Sequence, residues 1–415
     1  MTIPAIRGFN DILPGEAGLW RRIEDEAVSV FTSYGYGEIR LPCVEKTELF
    51  SRSIGETTDI VEKEMYTFLD RNGESFTLRP EGTASAVRAY IEHKLYVGQL
   101  VKLFYRGPMF RCERPQKGRY RQFHQIGAEV LGEASPLVDA ETIEMLIRLF
   151  SRLGLKGISL EVNSLGCPSC RQGYKDALLG FLSGVMQNLC ENCNRRIYAN
   201  PLRALDCKGA GCMDATADAP SIIDYLCEGC KGHFDEARVH LKRLSVEPRI
   251  NPRMVRGLDY YTKTTFEVTA EGLGAQNAIA AGGRYDSLVE ELGGPSRPCF
   301  GFAIGVERLA FLLKDTYEVK TSLFFFIALG EPVFQKAAEL ISRLRDTGYS
   351  IEAFYTRDSL KPGMKRANAL GSRAVLILGE DELKQGVVAL KDMKTSAQER
   401  LAFDDIKVRL ERFVI

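Results

Sequence analysis

Long apolar runs are missing from this sequence. Nothing in its 415 residues approaches the roughly 20 consecutive apolar residues that a membrane-spanning helix needs, and the best stretch, residues 323–329, is far too short. The opening residues carry no apolar signal core, so no membrane is expected and the expected setting is the cytoplasm. Net charge is missing too: 55 basic residues balance 55 acidic ones. That balance argues against a chain that simply coats nucleic acid or membrane, and leaves room for a local basic groove. Internal repeats and low-complexity segments are absent, and 38 glycines and 16 prolines are too few for a fibrous chain. What remains is a globular composition, 45% hydrophobic and 27% charged, in a chain long enough for two to three domains.

Three textures divide it. Residues 1–165 and 248–318 mix helical periodicity with β-rich runs. In residues 17–34 the apolar positions Leu19, Ile23, Ala27, Val30 and Phe31 recur at helical spacing up to Gly35. Residues 37–42 read as a short strand that Pro42 ends. Residues 65–78 read as a hairpin around Asn72 and Gly73, and residues 83–93 as a helix capped by Thr83. Two further strands, 100–105 and 120–130, flank a charged loop. Hairpins outnumber strand–helix alternation, so an α+β core with a mainly antiparallel sheet and flanking helices is expected. Residues 166–247 are Cys-rich and helix-biased, an expected insertion domain. From residue 321 strands and helices alternate as in a small α/β domain, with residues 379–386 read as a turn.

Eight of the eleven cysteines lie in that middle stretch, as Cys167/Cys170, Cys190/Cys193, Cys207/Cys212 and Cys227/Cys230. In a reducing compartment such spacing fits the ligands of one or two tetrahedral, structural zinc sites; small buried residues with inert thiols are the alternative. The stretch from Cys167 to Glu247 has 10 basic and 10 acidic residues, so it is no evident RNA-binding patch.

The strongest local field lies in residues 106–121, where six basic residues (Arg106, Arg111, Arg114, Lys117, Arg119 and Arg121) oppose Glu113 alone. Pro115 and Gly118 mark it as a loop. It reads either as a solvated cationic hairpin or as a loop that closes over polyphosphate, which guanidinium forks match in pairs. Other segments favour the second reading: Glu81, Gln125 and Glu129, then RGLDYYT (256–262), AGGRYD (281–286) and GFAIGVERL (301–309) all fall at or beside expected strand ends. Tyr260 and Tyr285 are as readily core residues as ligand contacts, and Gly282 with Gly283 can simply make a turn. Carboxylates suit an ammonium group, arginines suit phosphate, and glycines let a backbone approach closely. Those are the parts for joining an amino acid to a nucleotide.

These segments resemble the histidyl-tRNA synthetases, a class II aminoacyl-tRNA synthetase family, over essentially the whole chain. RGFNDILP (7–14) is similar to the family's opening, GEIRLP (37–42) to motif 1, residues 110–129 to motif 2 and residues 301–309 to motif 3. Residues 256–262 and 281–286 resemble the two histidine-specific signatures. The resemblance implies that Arg111 and Arg256 hold the α-phosphate of ATP from opposite sides. It implies Glu113 near the adenine, Phe123 beneath it, Arg308 over its other face and Arg119 on the outer phosphates, with Mg²⁺ bridging them. Glu81, Thr83 and Gln125 would take the amino group of L-histidine, and Glu129 with Tyr261 its imidazole. Arg114 and Gln116 would meet the acceptor end of tRNA(His), residues 321–415 would read its anticodon, and motif 1 would pair two chains as a homodimer. A non-catalytic regulatory subunit of ATP phosphoribosyltransferase is the rival reading; such proteins resemble the catalytic core and usually lack the tail domain.

Residues 321–415 carry 15 basic and 13 acidic residues, so composition does not single out an RNA binder. Arg357, Lys361, Lys365, Arg366 and Arg373 cluster in and around one expected helix, as a solvated face or an RNA contact. If they neutralise phosphate, tRNA binding by the intact chain falls about 10²-fold between about 50 and 200 mM salt. Salt-insensitive binding in a filter-retention titration counts against that contact.

Overall fold

A computed structural model of the chain describes residues 3–55, 58–98, 100–116, 118–198, 200–274, 277–317 and 323–413. It divides into two compact units, Met1–Tyr317 and Glu318–Ile415.

The strands of the first unit are β1 (Gly37–Glu38), β2 (Val44–Lys46), β3 (Tyr66–Leu69), β4 (Ser75–Leu78), β5 (Val101–Phe110), β6 (Gln122–Leu131), β7 (Ile158–Ser164), β8 (Arg249–Ile250), β9 (Thr262–Ala270), β10 (Ala278–Arg284) and β11 (Cys299–Gly305). Among the described residues eight of them form one sheet in the order β1-β5-β6-β11-β10-β9-β7-β8, while β2, β4 and β3 form a small second sheet. The large sheet is antiparallel except at its edges, where β1 runs parallel to β5 and β8 parallel to β7. This is the expected mainly antiparallel α+β core.

Side chains alternate across a strand, so each strand faces two environments. On one face Phe104, Ile126, Ala128, Val130, Phe266, Phe300, Phe302 and Ile304 are buried against the helices Pro14–Ser33 and Pro136–Arg152. Each such burial contributes roughly 1.5–3 kcal/mol for the larger side chains. The helix Pro14–Ser33 uses the five apolar positions named above and stops where Gly35 takes φ +81°. A charged group also enters this face. Arg284 of β10 is fully buried; it donates from Nε to Asp139 (3.1 Å) and from its other nitrogens to the Glu133 carbonyl (3.0 Å) and to Asp286 (3.1 Å). His233 bonds the same Asp139 carboxylate at 2.8 Å and so brings in the helix Glu228–Arg243.

Several expectations change. The strand at residues 37–42 ends at Glu38, because Pro42 has no N–H and the Leu41 carbonyl is taken by the Arg79 guanidinium at 2.8 Å. Thr83 is not the cap of its helix. Helix Thr83–Glu92 is capped by the Glu81 carboxylate, which accepts the Thr83 and Ala84 N–H groups at 2.6 and 2.8 Å. Gly282 and Gly283 make no turn; they lie within β10, where a Cβ on Gly282 would overlap the Gly301 carbonyl and one on Gly283 would meet the Thr264 carbonyl at 2.6 Å. The Cys-rich stretch, expected as a domain of its own, lies inside the first unit. Its helix Pro168–Gly184 shares an apolar cluster with Val87, Tyr90 and Tyr260, and Phe234 and Leu241 enter the main core.

The second unit has β12 (Leu323–Leu329), β13 (Ser350–Thr356), β14 (Ala374–Leu378), β15 (Val387–Asp392) and β16 (Gln398–Ala402), in the order β13-β12-β14-β15-β16. Strand β12 lies parallel to β13 and β14 and is buried on both faces, which is why it reads as a continuous apolar run. Residues 379–386 are not a plain turn: Glu380–Gln385 is a short helix ended by Gly386 at φ +68°.

Asp139→Ala leaves the buried Arg284 charge with Asp286 as its remaining carboxylate and strips His233 of its partner, so unfolding free energy in urea falls by about 3 kcal/mol. A loss within about 0.5 kcal/mol shows that the pair is dispensable.

Candidate active site

The second face of the large sheet carries the site. By register, Phe123, Gln125, Gly127 and Glu129 of β6 share that face with Gly301, Ala303 and Gly305 of β11, Ala281 and Gly283 of β10, and Glu267 of β9. The middle strands therefore present almost no side chain, and a cavity of about 270 Å³ occupies the space. Its wall includes Glu81, Thr83, Arg111, Glu113, Arg119, Phe123, Gln125, Arg256, Tyr261 and Arg308, so the structure brings ten of the residues singled out above to one place.

Each is held by neighbours. Arg111 donates from Nε to the Pro80 carbonyl at 2.9 Å and lies 5.3 Å over the Phe123 ring. Glu113 pairs with Arg119 and stands beside Glu64, whose carboxyl is pushed up to about 7 by burial and then by Glu113. Arg308, from the first turn after β11, donates to the Ala278 carbonyl; burial and then Arg119 draw its pKa down. Across the cavity Arg256 pairs with Glu267 at 2.8 Å and lies 5.7 Å over the Tyr261 ring. Two buried polar atoms on this wall, Gln125 Oε1 and Arg256 Nε, have no protein partner. Such atoms suit a polar ligand.

Glu129 does not line the cavity. It is fully buried, and its carboxylate accepts the hydroxyls of Thr83 (2.8 Å), Tyr105 (3.2 Å) and Tyr285 (2.5 Å). A Cβ on Gly301 would overlap it. Burial first, and then the charge of Glu81, push its pKa up to about 8 against those hydroxyls. Tyr285 thereby serves the carboxylate network, and Tyr260, 4.8 Å from Tyr261, joins the cavity wall. Arg114 and Gln116 stand outside the cavity, exposed on the loop, where Gln116 and Arg119 exchange backbone hydrogen bonds of 2.9 and 3.0 Å. Lys117 lies outside the described residues. Sequence reasoning missed Glu267 and Glu307. Glu267 was visible as a lone acid within the run TKTTFEVTA of β9; Glu307 accepts the His124 N–H at 2.9 Å.

The chain is similar to known proteins along its length. The family profile described as Histidyl-tRNA synthetase matches residues 8–168 and 215–309, and the one described as Anticodon binding domain matches residues 324–412. A histidine–tRNA ligase of Syntrophotalea carbinolica is 54% identical over 413 residues, covering 99% of this chain and 98% of that one. That of Geobacter sulfurreducens is 56% identical, covering 95% and 96%. The chain belongs to the histidyl-tRNA synthetase family. The apo crystal structure of the S. aureus histidyl-tRNA synthetase superposes with a TM-score of 0.81 at 35% identity, each chain covered fully. Family membership extends through the tail, the part that the regulatory reading would lack.

In the second unit, three of the five clustered cations are engaged: Arg357 with Glu331, Arg366 with Glu352 at 2.5 Å, and Arg373 with the Phe413 carbonyl. Lys361 and Lys365 are exposed on the helix Leu360–Ala369. Among the described residues no helix is long and apolar enough to cross a membrane.

Because the folded Glu129 holds its proton up to about 8 while the unfolded carboxyl releases it near the ordinary value of 4.5, the folded state binds more protons between those limits. Its stabilising contribution is complete below 4.5 and is lost as pH rises towards 8. Urea titrations should show wild-type stability falling relative to Glu129→Gln across that window. Parallel curves would mean that Glu129 is ionised throughout.

Proposed function

We propose that the chain is an ATP-dependent histidine–tRNA ligase: it activates L-histidine with ATP to histidyl-adenylate and pyrophosphate, then transfers histidine to the 3′ end of tRNA(His). The observation that carries this reading is the pair Arg111 and Arg256 on the wall of one cavity with Glu81, Gln125 and Tyr261.

In the first step a carboxylate oxygen of histidine attacks the α-phosphorus in line, and the bond to the pyrophosphate oxygen breaks. Negative charge gathers on the α-phosphate oxygens. Arg111 and Arg256 stabilise that charge, and because each is already held by its neighbours little reorganisation is needed when it develops. Phe123 and Arg308 hold the adenine between them, with Glu113 at its edge, and Arg119 meets the outer phosphates. ATP enters as its magnesium complex; Glu267 on the wall would offer oxygen donors to such an ion, which would neutralise charge on the outer phosphates. Glu81, Thr83 and Gln125 receive the ammonium group, and the unpartnered Gln125 Oε1 supports that role.

Tyr261 and the network centred on Glu129 select the imidazole. A rival without ring nitrogens forgoes those hydrogen bonds, and sites built on such bonds discriminate by about 10⁴–10⁵. In the second step a ribose hydroxyl of the tRNA terminus attacks the histidyl carbonyl and AMP leaves. Arg114 and Gln116, exposed on the loop, approach that terminus, and the second unit approaches the anticodon. The catalytic core comprises 1–165 and 248–318, with 166–247 inserted and 321–415 as the anticodon-binding part. We infer a cytoplasmic homodimer; the exposed apolar side chains Val44, Phe68 and Leu69 on the small sheet support a partner surface.

ATP–pyrophosphate exchange tested against all twenty amino acids should proceed with histidine alone. Arg256→Ala should lower it by at least about 10²-fold while circular dichroism and melting stay unchanged. Near-normal exchange in that variant removes Arg256 from the mechanism, and no exchange with any amino acid in the wild type favours the regulatory reading.

A further inference from the structure

Eight cysteines take no part in that chemistry. Neighbouring pairs along the chain would be the simplest partners, yet the fold nests them. The sulfurs of Cys167, Cys170, Cys227 and Cys230 all lie within 4.8 Å of one another, and so do those of Cys190, Cys193, Cys207 and Cys212. We propose that each set binds one zinc ion, an outer site that closes the two ends of the Cys-rich stretch and an inner site that fastens its middle.

The geometry suits a single tetrahedral ion. Zinc–sulfur bonds of about 2.3 Å put tetrahedral sulfurs about 3.8 Å apart, and Cys167–Cys170 and Cys190–Cys207 are separated by 3.6 and 4.0 Å. Disulfides would join sulfurs two by two at about 2 Å and give no reason for four to converge. The local structure prepares thiolates. Cys167, Cys190 and Cys227 each stand at the N-cap of a helix, and Cys170, Cys193 and Cys230 lie in the first turn that follows. Two backbone N–H groups already point at sulfur: Cys227 donates to Cys170 Sγ and Cys190 to Cys212 Sγ, both at 3.1 Å. Gly166, at φ +62°, leaves room for Cys170, whose Cβ would stand 2.6 Å from an added side chain there. Four thiolates leave no open position for a substrate, so both ions are structural.

The inner site has a consequence that rests on the function proposed above. Between Cys193 and Cys207 lies the turn Pro201–Ala204. Its Arg203 donates to the carbonyls of Arg256 (3.3 Å) and Gly257 (3.1 Å) and pairs with Asp259 at 2.7 Å; Asn200 reaches the same Asp259 oxygen at 3.3 Å. The inner zinc thus fixes the turn whose arginine holds the backbone of the catalytic Arg256. Arg203 is a positioning residue.

Full-length protein purified under reducing conditions without added zinc is analysed for metal by mass spectrometry. About two equivalents per chain are expected, and cobalt substitution should give tetrahedral tetrathiolate absorption at the same stoichiometry. Cys167→Ser/Cys227→Ser and Cys190→Ser/Cys207→Ser should each retain about one equivalent. A wild-type content below about 1.5 equivalents, or sulfurs found as disulfides in protein alkylated before oxidation, overturns the two-site assignment. These measurements on the wild type decide even if a double variant does not fold, and they do not depend on catalysis. For the link to Arg256, zinc-replete Arg203→Ala should lose about tenfold or more in kcat of exchange with little change in the KM for ATP, and Arg203→Lys should recover part of it. Wild-type kcat in that variant overturns the link and leaves the zinc assignment standing.

Discussion

The two-residue period of the β-strand is the constraint on which the rest of this structure depends. In β6, β9 and β11 one set of alternate residues is mostly large and apolar and builds the core with the helices behind. The other set is small where the strands are central, at Ala281, Gly283, Gly301, Ala303 and Gly305. The cavity is what that missing volume leaves. A one-residue slip would send Phe302 and Ile304 into the site and empty the core, so folding and function fix the same register. Polar groups enter the cavity from its margins, where strands end and loops begin.

Electrostatics follows from that shape. The chain as a whole is neutral, and its cavity wall is balanced as well, with Arg111, Arg119, Arg256 and Arg308 standing among Glu81, Glu113, Glu267 and Glu307. The cations are not loose: carbonyls, Glu113, Glu267 and aromatic rings hold them in place. Beneath the surface Glu129 is the counterpart, a buried acid surrounded by hydroxyls. Its place depends on Gly301, since any side chain there would collide with it. Arg284 does the corresponding service on the other face, where one buried guanidinium ties β10 to the helix Pro136–Arg152.

Much of this was legible in the sequence. Helical spacing identified Pro14–Ser33, the Asn72–Gly73 hairpin appeared as β3 and β4, and the cationic loop joins β5 to β6 as expected. The failures share a cause. Thr83 looks like a cap because local propensity favours it, yet Glu81 caps the helix and the Thr83 hydroxyl goes to Glu129, 46 residues away. Gly282 and Gly283 look like a turn, but the demand for glycine comes from the strands on either side. Glu267 had only a weak signal because its partner, Arg256, lies on a separate loop.

By itself the sequence determined the chemical inventory and the local elements: the arginine-rich loop, the carboxylates, the glycines and the periodicities that make most helices and strands. Those depend on residues within a few positions of one another, where spacing is enough. The tertiary structure alone decided which residues meet. It brought Arg256 opposite Arg111, put Glu129 behind the wall, nested the cysteine pairs and set Arg203 under the Arg256 backbone. Those contacts join positions tens to more than a hundred residues apart, and only the register of the sheet and the packing of its two faces brings them within bonding distance.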